Sequence, residues 1–84
     1  MKLVLTTTKD VVTGEMTQAP QMFRNTAEAV RAWGFAIKQL RDEKSVTPVT
    51  DLQLYKIGEI DTETMEIKPC VEYLATGGQF IAGE

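Results

Sequence analysis

The 84 residues contain no histidine, and serine, cysteine and tryptophan occur once each. Without histidine the chain lacks the commonest general acid/base and the commonest metal ligand. Ser45 stands in a polar stretch with no base in view, and Cys70 falls in a β-rich segment with nothing to activate its thiol. A single cysteine excludes an internal disulfide and suits a reducing cytoplasm. No apolar run exceeds three residues, so no transmembrane span is expected. One lysine without a long apolar run behind it does not make a signal peptide. Gly77 and Gly78 follow a predicted strand but open no predicted helix, so no phosphate loop is read there. Glu59, Asp61, Glu63 and Glu66 gather at one predicted turn in a spacing that matches no metal loop, and read as a solvated acidic turn. We therefore expect no enzyme, no catalytic residue, no metal and no cofactor.

What is present describes one small folded domain. Apolar content of 43% and charged content of 25% are ordinary for a globular protein. A chain this short buries only about 60–65% of its unfolded surface, so its core is thin and dimerisation is favoured. The net charge of −3 is unevenly placed. Residues 1–41 carry six Lys/Arg and three Asp/Glu, giving +3; residues 42–84 carry three Lys and nine Asp/Glu, giving −6. That total does not describe a bulk DNA binder, although a local basic patch on the first half fits the distribution.

One segment has a helical period: Asn25–Arg41, NTAEAVRAWGFAIKQLR. Asn25 and Glu28 stand at capping-box spacing, the side-chain oxygen of Asn25 to accept from the backbone and the carboxylate of Glu28 to reach back. Val30, Trp33, Ile37 and Leu40 form a core-facing stripe, with Ala29 and Ala36 beside it. Gly34 costs up to roughly 1 kcal/mol inside a helix, and its size suits the close approach of a strand. Phe35 breaks the pattern: it points away from the stripe, with Arg31 one turn before and Lys38 one turn after. An exposed aromatic between cations suits stacking on a nucleic-acid base. A dimer contact, cover by the C-terminal tail, or one tolerated exposed Phe are the other readings.

Segments 2–9 and 15–23 read as one hairpin, 51–60 and 65–74 as another. Pro20 places the second strand at an edge. Residues 42–51 form a polar linker stopped by Pro48. The two turns share one recipe, Asp10-x-x-Thr13-Gly14-Glu15 and Asp61-x-x-Thr64-Met65-Glu66. Pairing Asp10 with Glu15 sets Leu3 beside Met22 and Leu5 beside Pro20, which reads as the inner face. Pairing Asp61 with Glu66 sets Ile60 beside Ile67, Glu59 beside Lys68 and Leu54 beside Tyr73. The expected fold is α+β: ββαββ, one helix packed on a four-stranded, mainly antiparallel sheet, with residues 1–74 as the domain and 75–84 as a loose tail. The uncovered face would then show Val4, Thr6, Thr8, Thr17, Ala19, Tyr55, Ile57 and Cys70. Threonine there is ordinary β-propensity, while Val4, Tyr55, Ile57 and Cys70 would leave an apolar patch suited to a dimer interface.

KLVLTTTKD, PQMFRNTAEAVRAW and LQLYKIGEIDTET together resemble the small non-structural protein of gokushoviruses and related microviruses, tailless phages with circular single-stranded DNA genomes. Leu54, Tyr55, Ile57, Gly58, Ile60, Asp61 and Thr64 match one recurrent stretch of that family, and Ala29 with Arg31 match an A-x-R element. The resemblance covers about residues 1–70. Met65 stands where the family has glycine, which implies strain or a different loop at that turn. The resemblance implies a DNA-binding or single-stranded DNA synthesis protein of the host cytoplasm.

Two functions are expected from this. The first is a single-stranded DNA-binding accessory factor in phage genome replication or packaging, gripping through Arg24, Arg31, Phe35, Lys38 and Arg41. The second is a non-catalytic homodimeric module that contacts the replication or packaging apparatus without binding DNA, through Val4, Tyr55, Ile57 and Cys70. Neither involves a membrane.

Overall fold

The computed structural model describes residues 1–42 and 49–80, without the side chains of Arg41, Asp42 and Phe80. The order is β1 (Lys2–Asp10), β2 (Glu15–Met16), β3 (Gln21–Phe23), α1 (Thr26–Asp42), a 3-10 turn at Val49–Asp51, β4 (Leu52–Asp61), β5 (Ile67–Thr76) and a second 3-10 turn at Gly77–Phe80. This is the expected α+β strands–helix–strands arrangement, with the second strand broken in two. Every pairing is antiparallel: β2 and β3 line one side of β1, β4 lines the other, and β5 closes the far edge. The polar linker read at 42–51 lies partly outside the described residues.

The break falls at Thr17–Pro20, because Pro20 has no N–H to give to a ladder. Asp10 pairs with Glu15 as expected, but beyond the break Leu5, not Leu3, lies opposite Met22. The slip is two residues, so each side chain keeps its face.

Both hairpin turns are built alike. The Gly14 and Met65 N–H groups each donate to the carbonyl four residues back, Asp10 and Asp61, at 2.8 Å. The Asp carboxylates accept the N–H two residues on, Val12 at 2.8 Å and Glu63 at 2.9 Å. The hydroxyls of Thr13 and Thr64 accept from Glu15 and Glu66, both at 3.3 Å. Gly14 has φ +75° and Met65 φ +64°. Met65 therefore keeps the geometry its partner turn reaches with glycine, and no other loop is used.

At the second tip Ile60 pairs with Ile67 and Glu59 with Lys68, as the pattern requires. Further along, Tyr73 faces Tyr55 and Leu54 faces Ala75, because the ladder shifts at two places on this hairpin. Between β1 and β4 a third irregularity leaves Ile57 unpaired, with Gly58 against Leu5 and Lys56 against Thr6. An unpaired residue reverses the alternation beyond it. Leu54 and Ile60, six apart, thus end on opposite faces.

The helix begins where Asn25 caps it: its side-chain oxygen accepts the Glu28 N–H at 2.8 Å. The Glu28 carboxylate does not complete the box and takes the Arg24 guanidinium instead. Ala29, Trp33 and Ile37 are buried, and Trp33 and Ile37 join Val49, Leu52, Leu54 and Ala75 in the core, flanked by Val30, Leu40 and Leu74. The Trp33 indole N–H donates to the buried Thr8 hydroxyl at 2.9 Å. That contact places the even-numbered residues of β1 under the helix: Val4, Thr6, Thr8 and Asp10 are all buried, whereas Leu3 and Leu5 are half-buried on the far side. The reading of Leu3 and Leu5 as the inner face was inverted. Threonine wins the covered face because its hydroxyls are used there. Thr6 donates to the Gln21 carbonyl at 3.4 Å and Thr8 to Gln18 Oε1 at 3.3 Å, while Thr7 donates to the Gln18 carbonyl at 3.1 Å. These bonds hold the broken strand against β1.

The C-terminal end differs from a loose tail beginning at residue 75. Ala75 and Gly77 are buried, and Gly77 sits so close to the first 3-10 turn that a Cβ there would meet the Val49 carbonyl oxygen at 1.8 Å. Residues 81–84 lie outside the described residues.

Candidate nucleic-acid interface

The outward side of α1 is built from the positions its core stripe leaves over. Arg31, Ala32, Phe35, Ala36 and Lys38 are exposed, and Phe35 is 69% exposed. Lys38 follows Arg31 by seven positions, about 10 Å along the axis at 1.5 Å per residue. The Phe35 ring lies between them. A hollow of about 250 Å³ is bounded by Arg31, Gly34, Phe35 and Lys38. A second, of about 400 Å³, lies against Phe23, Glu28, Arg31, Ala32 and Phe35. The ring thus stands between two open hollows that share Arg31. Among the described residues neither Arg31 nor Lys38 is ion-paired.

Arg24 precedes the first turn of the same helix and is engaged. Its Nε donates to Glu28 Oε2 at 3.2 Å and its Nη2 to Oε1. The hydrogen bond, helped by the opposite charge, holds the Arg24 pKa above its ordinary value; the same bond holds the Glu28 carboxyl below its own. Both side chains are exposed, so the pair is screened and exchangeable. The side chain of Arg41 is outside the described residues. Of the five residues assigned to DNA, three (Arg31, Phe35 and Lys38) form one continuous patch.

The four residues assigned to a dimer patch are not brought together. Val4 is 7% exposed on the helix side of the sheet, and Tyr55 is half-buried on the opposite side. Ile57 is the unpaired residue between β1 and β4, and Cys70 is exposed on the edge strand β5. An uncovered side of the sheet was expected, but of its residues only Tyr55 among these four was placed on it correctly. Register places Leu3, Leu5, Met16, Met22, Tyr55, Ile60, Ile67 and Tyr73 on it. There the Tyr55 and Tyr73 rings meet edge to face at 5.9 Å, and Lys9 Nζ stands 5.7 Å from the Tyr55 centroid. The alternating Leu3 and Leu5 signalled an apolar face; which face the helix covers was not legible.

The acidic tip is occupied with its own turn. Glu59 accepts from Lys56 Nζ at 2.8 Å, and that hydrogen bond lowers the Glu59 pKa and raises that of Lys56. Asp61 is held below its ordinary value by the backbone N–H groups of Glu63 and Thr64. Among the described residues no group of three or more Cys, Asp and Glu is arranged to hold a metal ion. None of their helices is long and apolar enough to cross a membrane.

No curated protein and no solved structure matches the chain. A family model does, and its match runs through residues 3–80, from the first strand through both D-x-x-T turns and the cationic helix to the second 3-10 turn. Since that leaves out only two residues at the start and four at the end, the chain belongs to the Phage ORF5 protein family.

Proposed function

We propose that this small phage protein is a single-stranded DNA-binding accessory factor in microvirus genome replication or packaging, and that it grips DNA through the outward side of α1. One observation carries the reading: an exposed Phe35 bracketed by Arg31 and Lys38, with open hollows on both sides. A base stacked on an aromatic ring contributes roughly 1–3 kcal/mol whatever its identity. Two cations about 10 Å apart then hold the phosphates that flank it. Membership of a phage protein family and the resemblance of LQLYKIGEIDTET to the gokushovirus protein both support this reading. No catalytic residue takes part.

Fluorescence anisotropy with a labelled single-stranded oligonucleotide at low salt tests it. Binding is expected at micromolar protein or above, and Phe35→Ala is expected to weaken it about 5- to 150-fold. Absence of binding at low salt and high protein concentration removes the reading. So does binding that Phe35→Ala, Arg31→Ala and Lys38→Ala all leave unchanged.

A further inference from the structure

We propose that the side of the sheet turned away from α1 is the contact surface of a homodimer, two copies packing sheet against sheet. This does not rest on DNA binding, which uses the opposite side of the molecule.

The buried core lies entirely on the helix side, formed by Val4, Leu52, Leu54, Ala75 and the first 3-10 turn's Val49 with the helix stripe. Among the described residues no element covers the other side, yet it is the more apolar by composition. Pairing aligns two rows across the strands: Leu3–Ile60–Ile67, and Met22–Leu5–Gly58–Pro69. Tyr55 and Tyr73 continue the surface. Met22 is 55% exposed, Ile67 57% and Tyr73 50%, so large apolar side chains lie open at both edges of one face. A contiguous apolar surface of that kind marks an interaction site.

Three observations choose a second copy as the occupant. The first is charge. The strand residues on this face carry one ionised group, Lys9, already placed over the Tyr55 ring, whereas Glu59, Lys56, Lys68 and Glu72 fall on the helix side. With one cation per copy, held against its own Tyr55 ring, two identical faces meet with little like charge to oppose, and neither offers a charge pattern that selects a different partner. The second is area. The molecule measures 42 × 24 × 18 Å, so its broad side is on the order of 1,000 Å², against about 800 Å² per partner in a stable interface. The third is the edge. Pro69 in β5 has no N–H, and the two ladder shifts interrupt the strand at Cys70–Val71 and at Leu74. Such an edge resists extension by strand pairing, leaving the face as the route of association.

Analytical ultracentrifugation of the full chain across micromolar to near-millimolar concentration tests this. The expected species has twice the 9.4 kDa chain mass. Ile67→Lys with Tyr73→Lys is expected to return it to the chain mass, with the far-UV circular dichroism retained because both side chains are exposed. Should that pair fail to fold, Met22→Lys on the opposite edge serves the same purpose. Phe35→Ala, on the helix side, is expected to leave the dimer mass unchanged. A chain-mass species at every concentration overturns the proposal, as does a dimer that folded lysine variants leave intact or that Phe35→Ala dissociates.

Discussion

Single residues decide whether the two turns are relaxed or strained. Gly14 and Met65 occupy equivalent places with φ +75° and +64°, but only glycine reaches that region without a steric penalty. For an L-residue the penalty is about 1–2 kcal/mol, less about 0.4–1 kcal/mol for the extra freedom glycine has when unfolded. Met65 is 76% exposed, so its side chain gives little in return. Met65→Gly should stabilise the fold by roughly 0.5–1 kcal/mol, read as a higher urea midpoint at unchanged slope. Gly14→Ala should cost about as much, and only through the backbone, since a Cβ there meets nothing within 4 Å. The ionised side chains add a pH dependence. Glu28, Glu59 and Asp61 all have folded pKa values below their ordinary ones. Groups shifted down stabilise the fold above their unfolded values, near pH 4, and lose that contribution as pH falls through the lower folded values. Thermal melts from pH 7 to pH 3 should therefore decline below about pH 4.5. The Arg24–Glu28 share should fade in added salt, being exposed. Asp61→Asn should flatten part of the profile.

At the scale of elements, the helix, the two hairpins and both turns were legible, because each rests on local chemistry: a 3.6-residue stripe, an Asn cap, a proline at an edge, and a repeated D-x-x-T. What was not legible is long-range. Ile57 and Leu74 are where the ladders slip, and neither residue carries a mark that separates it from an ordinary strand residue. A one-residue slip exchanges faces, so alternation counted along β4 misplaced Tyr55 relative to Ile60. On β1 the leucines outranked the threonines by hydrophobicity. The covered face was decided instead by hydroxyl partners on Trp33, Gln18 and Gln21, which only the folded chain brings near. The grouping of Arg31, Phe35 and Lys38 was legible because all three sit on one helix, whereas the engagement of Arg24 was not, because the capping carboxylate has two donors to choose from. The closing contact between the 3-10 turns was likewise hidden. Gly77→Ala would drive a methyl into the Val49 carbonyl, and the backbone cannot yield as a flexible side chain would. Destabilisation of about 1–3 kcal/mol is expected from such overpacking, measured by chemical denaturation. Gly78→Ala, with open space around it, should change stability by no more than a few tenths of that.

For the whole molecule the decisive quantity is where charge sits, since the sum is −3. A protein of that sign is repelled by DNA at long range unless its cations are segregated from its carboxylates. Glu63 and Glu66 lie at the tip of the β4–β5 hairpin, and Glu59 and Asp61 beside it are satisfied there by Lys56 and by the turn's own backbone. Arg31 and Lys38 stand on the outward side of α1 with no carboxylate bonded to them among the described residues. On the proposed reading the described carboxylates therefore lower the overall attraction without pairing with the Arg31 and Lys38 of the site. On the proposed reading few phosphates can be held, since residues 24–41 carry four cations in all, Arg24, Arg31, Lys38 and Arg41. For two to four contacts on a single strand, log K should fall with log salt at a slope of about −1.4 to −2.8. Duplex of the same length should bind more weakly, because its bases are already stacked and offer no free face to Phe35. A steeper slope, or a preference for duplex, would place the grip on some broader cationic surface than the one α1 presents.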